Sequence, residues 1–152
     1  MLLTELLAPA RVVLPLRGST KPAVMRELLA AAMPEATPDV LDAVMEALLA
    51  RESVLSTGIG DGVAIPHAKT PKVDRLLMAA GVAERPVDYD ALDGRPADLF
   101  FLLLGPESAA TEHVKTLGRL ARVLRKPGLC AALRAARSSD EFVRIVADTE
   151  AG

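Results

Sequence analysis

One stretch restricts what this chain can fold into more than any other: Gly58 to Lys69, G-I-G-D-G-V-A-I-P-H-A-K. Its three glycines let backbone amides approach a ligand or another strand closely. Val63-Ala64-Ile65 is long enough for a short strand. Pro66, with a fixed φ and no N–H, ends that strand and holds the next residue in a set direction. The next residue is His67. A histidine on a rigid strand end beside a glycine-rich turn suits an exposed, positioned nucleophile. The plain alternative is a surface-loop histidine. Local rigidity weighs against it, as does the presence of only two histidines in the whole chain.

The 152 residues suffice for one domain with a full hydrophobic core. Tryptophan is absent and aromatics are 3%, so that core is expected to be Leu, Val, Ala, Ile and Met. A net charge of −2 argues against a nucleic-acid footprint, although Arg119, Arg122, Arg125 and Lys126 form a local basic patch. Cys130 is the single cysteine, which excludes an internal disulfide, argues against a cysteine-based zinc site and fits a reducing compartment. It reads as a small apolar helix residue. Met1 to Glu5 has no positive n-region of a signal peptide. No run approaches the roughly 20 apolar residues that span a bilayer. A soluble, cytoplasmic protein without membrane insertion is expected.

Taken in order, Leu2–Leu7 reads as a short helical turn broken near Pro9, and Arg11–Leu14 as a strand closed by Pro15. Ser19-Thr20 offers an N-cap to a helix with Pro22 in its first turn and Pro34 after its end. Thr37-Pro38 opens a second helix whose apolar stripe is Val40, Leu41, Val44, Met45, Leu48 and Leu49, ending near Arg51-Glu52. The two helices are expected to pack as an antiparallel pair. Leu76–Val82 reads as a buried strand, in which Gly81 either weakens the strand or allows close backbone packing. Leu99–Leu104, stopped by Gly105-Pro106, reads as a central strand covered on both faces. Ser108 or Thr111 is expected to cap a long helix. Val114, Leu117, Leu120, Ala121 and Leu124 are assigned to its inner face and Lys115, Arg119, Arg122 and Arg125 to its outer one. After Pro127-Gly128 a short helix is expected from Leu129 to about Ala136. A capping box at Ser138 and Glu141 opens a last helix with Phe142, Ile145 and Val146 inward. The pattern predicts a three-layer α/β/α sandwich with a mixed sheet of four or five strands.

The candidate chemistry rests on His67, His113 and Arg51. His113 falls at the start of the helix after the strongest strand, where free amides favour anions. If the strands preceding the two histidines are parallel neighbours, both imidazoles converge at the carboxyl ends of the strands, where α/β sheets gather ligands. A neutral imidazole accepts a phosphoryl group at neutral pH. A second histidine, an arginine fork and glycine-loop amides would hold the phosphate oxygens. The plain alternatives are a solvated first-turn residue for His113 and a cation at a helix C-terminus for Arg51. The glycine stretch lacks the Gly-Lys-Ser/Thr of a P-loop, and no G-x-S-x-G elbow is present. A metal site from His67, His113 and Glu112 or Asp61 has no clustered ligand spacing behind it.

The stretch Arg51-Glu52, then Thr57-Gly58-Ile59-Gly60-x-Gly62-Val63-Ala64-Ile65-Pro66-His67-Ala68, closely resembles the IIA component of the mannitol/fructose type. That component belongs to the bacterial phosphoenolpyruvate-dependent sugar phosphotransferase system, and the type includes a stand-alone nitrogen-related regulatory version. Leu99–Pro106 and Glu112-His113 extend the resemblance, which covers nearly the whole chain as one IIA unit over residues 1–152. The resemblance implies that His67 accepts a phosphoryl group from a histidine phosphocarrier protein and passes it to a IIB domain or protein. It implies that His113 and Arg51 bind and stabilise that group, and that no metal or organic cofactor takes part. A sugar-specific subunit and a regulator acting on target proteins both remain open. So does a regulatory binding module with little phosphoryl turnover. A metal-dependent hydrolase built on the two histidines is the remaining reading.

Overall fold

The fold is built outward from the apolar run Leu99–Leu104. The computed structural model describes residues 2–152. Its strands are β1 (Val12–Leu16), β2 (Gly58–Gly60), β3 (Val63–Ala64), β4 (His67–Lys69), β5 (Leu77–Val87) and β6 (Ala97–Gly105). Its helices are α1 (Lys21–Ala32), α2 (Pro38–Val54), α3 (Ala110–Leu124), α4 (Leu129–Arg134) and α5 (Ser139–Ala151). Short 3₁₀ turns cover Leu3–Glu5, Pro9–Arg11 and Glu107–Ala109.

The strands form one sheet in the order β1-β5-β6-β3-β2, with β4 also paired to β6. β1 runs parallel to β5, β5 antiparallel to β6, β3 and β4 parallel to β6, and β2 antiparallel to β3. β3 and β4 lie along the same edge of β6, Val63 opposite Leu99 and His67 opposite Leu103. The sheet therefore has five lanes, one of them interrupted at Ile65-Pro66, where proline has no N–H for the ladder. The expected strand over Val63–Ile65 is thus two short pieces, and His67 opens the second.

Successive side chains of a strand point to opposite faces, and β6 uses both for burial. Phe100, Leu102 and Leu104 join the core under α1 and α2, with Val24, Met25, Leu28, Leu29, Val44, Met45 and Leu48. Leu99, Phe101 and Leu103 join the opposite core under α3, α4 and α5, with Leu120, Val123, Leu124, Leu133, Phe142 and Val146. The predicted three-layer sandwich is the observed one. Thr20, Thr37 and Ser138 cap α1, α2 and α5 as the sequence predicts.

Several local expectations give way. β1 continues through Pro15 to Leu16, with a register slip between Val13 and Leu16. An edge strand tolerates the missing donor. β5 extends to Val87, past the expected end at Val82. α3 begins at Ala110 after Ala109, and neither Ser108 nor Thr111 caps it through a side chain. α4 stops at Arg134. The carboxylate of Glu141 accepts from the amide of Arg137, so the capping box at Ser138 is only half formed. Leu49 and Val114 face outward, 39% and 64% exposed, against their assignment to inner stripes. No helix among the described residues is long and apolar enough to cross a membrane.

Candidate functional site

The parallel pairing of β4 with β6 brings the two histidines together. His67 stands beside Leu103, and the chain leaving β6 at Gly105 turns through Pro106 into α3, whose first turn carries His113. The ring centroids lie 5.9 Å apart at an interplanar angle of 60°. Arg51 arrives from the last turn of α2. Together with Lys69, Ala47, Val114 and Leu117 these residues line an open cleft of about 400 Å³.

His67 is half-buried, and its Nδ1 lies 2.7 Å from the carbonyl oxygen of Ile65. A carbonyl only accepts, so Nδ1 carries the proton and Nε2 keeps its lone pair free. Burial lowers the pKa of His67 first, and the Arg51 cation lowers it further. The Ile65 carbonyl and the Glu52 carboxylate oppose them without reversing the direction. The ring is therefore neutral at neutral pH, the form a nucleophile requires.

His113 is only 2% exposed, so the solvated first-turn alternative does not hold. Its Nδ1 has no hydrogen-bond partner. Burial, with the His67 ring and the Lys69 cation, pushes its pKa down to about 4. Arg51 does act as a helix C-terminal cation, donating from Nη1 to the Leu55 carbonyl at 2.8 Å. It lines the cleft as well, so the two roles assigned to it from the sequence are compatible. Among the described residues no carboxylate forms a salt bridge with Arg51 or Lys69. The cleft thus holds two cations with no acidic partner, suited to an oxyanion, beside two neutral imidazoles, of which His67 presents an unprotonated Nε2.

The glycine run does not serve the cleft. Gly60, Asp61 and Gly62 have positive φ values of 96°, 58° and 78° and make the tight β2–β3 turn. Asp61-Gly62 is a preferred pair for a two-residue hairpin loop. The expectation that these glycine amides surround a phosphate is therefore corrected. Asp61 sits in that turn beside Asp93 and Arg134, and Glu112 lines a neighbouring groove rather than the cleft. Among the described residues no group of three His, Cys, Asp or Glu side chains is placed to hold a metal ion. Lys69 is a further cleft residue, beyond the three candidates that the sequence offers. Its signal is the i, i+2 spacing from His67, which in a strand puts both side chains on one face.

Residues 5–149 match the family model described as "Phosphoenolpyruvate-dependent sugar phosphotransferase system, EIIA 2". The chain belongs to this family. A nitrogen regulatory protein of Bradyrhizobium diazoefficiens is 40% identical to this EIIA chain over 147 residues, covering 97% of this chain and 95% of that protein. The fructose-specific EIIABC component of Bacillus subtilis is 37% identical over 146 residues, covering 96% of this chain but 23% of that longer protein. Nitrogen regulatory protein IIA-Ntr from Neisseria meningitidis superposes with a TM-score of 0.86 at 32% identity, over 95% of this chain and 98% of its own.

Proposed function

We propose that this EIIA protein is a phosphoryl carrier whose acceptor atom is Nε2 of His67. The observation that carries the reading is the Nδ1 bond to the Ile65 carbonyl, which leaves Nε2 free within the cleft. In the forward step the Nε2 lone pair forms an N–P bond as the donor's N–P bond breaks. The Nδ1 proton stays on the bond to Ile65, and the donor imidazole leaves with the lone pair. Arg51 and Lys69 offset the charge of the phosphoryl oxygens, and the His113 ring packs beside them. Transfer onward reverses the same step.

The donor is a histidine phosphocarrier protein. The acceptor is a IIB component, or the phosphorylated state itself is the signal read by regulatory targets. The name of one solved assembly, a complex of enzyme IIAMTL and phosphorylated enzyme IIBMTL from Escherichia coli, describes such a IIA–IIB pair. At 18% identity it supports the fold of this chain alone. The second reading, a regulator of the nitrogen type, is favoured by one observation. The nitrogen regulatory relative from Bradyrhizobium is 40% identical over 147 residues, against 37% over 146 residues for the fructose-specific relative of Bacillus subtilis and 34% over 130 residues for a fructose-specific EIIA component of Haloferax volcanii. Both readings place one IIA unit in the cytoplasm and need no cofactor.

Intact-mass measurement tests the proposal. The protein is incubated with phosphoenolpyruvate, enzyme I and the histidine phosphocarrier, alongside His67→Ala. One acid-labile phosphoryl adduct, missing in the variant, is the expected result. A wild-type protein that stays unmodified by a competent donor overturns it.

A further inference from the structure

Glu52, adjacent to Arg51, has a side chain only 5% exposed. Four donors converge on its carboxylate. Lys21 Nζ approaches to 3.0 Å, the Tyr89 hydroxyl donates at 3.0 Å, and the Thr57 amide lies 3.2 Å from both oxygens. The Thr57 hydroxyl also donates to it. Lys21 in turn sits 4.4 Å above the Tyr89 ring. Replacing such a buried ion pair by apolar residues is often neutral or stabilising, so stability alone does not account for this arrangement.

Its connection to the site is continuous. The Thr57 carbonyl accepts from the Ile65 amide at 3.0 Å, and the Ile65 carbonyl is the group that holds His67 Nδ1 at 2.7 Å. Two hydrogen bonds, one between backbone groups and one from the imidazole to a backbone carbonyl, therefore separate the residue gripped by Glu52 from His67. Moving Thr57 moves Ile65, and moving Ile65 releases the proton that defines the His67 tautomer. We infer that Glu52 is a positioning residue for His67, fixing through Thr57 and Ile65 the tautomer that leaves Nε2 unprotonated. The rate part of this inference rests on the phosphoryl-carrier reading; the tautomer part does not.

The test is ¹⁵N NMR of the imidazoles in the unphosphorylated protein, together with the rate of phosphoryl acceptance from the histidine phosphocarrier. Wild type, Glu52→Gln, Glu52→Asp and Tyr89→Phe are compared. Glu52→Asp keeps the negative charge but draws the carboxylate back from Thr57, Lys21 and Tyr89 by one methylene, so it decides the matter where Glu52→Gln does not fold. The other charged or titratable groups around the ring, Arg51, Lys69 and His113, are the same in all four proteins. In the folded Glu52 variants the ratio of Nδ1–H to Nε2–H tautomer at His67 falls by at least about tenfold. Acceptance slows by up to about 100-fold, the cost of a reacting group misplaced by about 1 Å. Tyr89→Phe removes the hydroxyl's contacts with Glu52 and with the Thr57 hydroxyl, 3.1 Å away, but keeps the Glu52–Thr57 hydrogen bonds, and stays within about threefold of wild type in both readouts. A folded Glu52 variant with the wild-type tautomer ratio overturns the inference. Equal change in Tyr89→Phe also overturns it, because general loosening then accounts for the effect. A wild type that takes no phosphoryl group refutes the carrier reading and leaves the tautomer ratios to judge Glu52.

Discussion

Gly105 ends β6 with no side chain, and the space it leaves is occupied. A Cβ built there would stand 2.6 Å from Leu76 Cδ2 and 3.1 Å from His113 Nδ1. The leucine end rotates, but the buried imidazole has little room to retreat. Gly105→Ala is expected to cost about 1–3 kcal/mol of stability, the usual range for overpacking, and to displace the His113 ring from the cleft. Urea unfolding and the His113 resonances read both effects. Wild-type stability with unshifted resonances would show that the site tolerates the extra methyl. In the sequence Gly105 reads only as a strand stop. His67, His113 and Arg51 were legible because each sits at a recognisable start or stop of an element. Glu52 and Lys69 were not: one acts through backbone groups well along the chain, and the other looks like an ordinary surface lysine until the strand's face is known.

At the scale of elements, β1 and β5 approach so closely that one position decides their pairing. Gly81 lies opposite Val13, and a Cβ there would meet the Val13 carbonyl oxygen at 2.7 Å and Leu16 Cδ1 at 2.8 Å. Backbone does not yield as a side-chain end does. Of the two sequence readings of Gly81, close packing is the one that holds. Gly81→Ala is expected to push β1 off the sheet edge and to destabilise the protein by about 3 kcal/mol, the upper end for an overpacked site. Denaturant midpoints measure the loss, and amide exchange localises it to Val12–Leu16. A change below about 0.5 kcal/mol would show that β1 shifts freely. The central strand was readable because six consecutive apolar residues have no other economical use. The phase of α3 was harder. Its inner face includes His113 and Thr116 beside Leu120, Val123 and Leu124, so polar residues hide the stripe. Leu120 and Leu124 are buried as expected, but Val114, one position and about 100° from the buried His113, faces outward.

For the molecule as a whole, burying neutral histidines in the cleft makes folding sensitive to acid. His113 has its folded pKa lowered to about 4 from an ordinary 6.5 by burial, with the His67 ring and Lys69 adding to it. Between those values the unfolded chain binds a proton that the folded chain refuses, so stability falls as pH drops from 6.5 toward 4. At about 1.4 kcal/mol per unit, His113 alone accounts for a loss of about 3 kcal/mol across that window. His67 is shifted in the same direction, chiefly by burial, and adds to the loss. Above pH 7 neither group contributes a slope. Urea unfolding at intervals from pH 7.5 to 4 should therefore show a steep acid limb that is shallower in His113→Gln, with the two proteins parallel above neutrality. Parallel curves across the whole range would mean that His113 takes its proton in the folded state, and that the cleft admits water or an anion close enough to stabilise the charged ring.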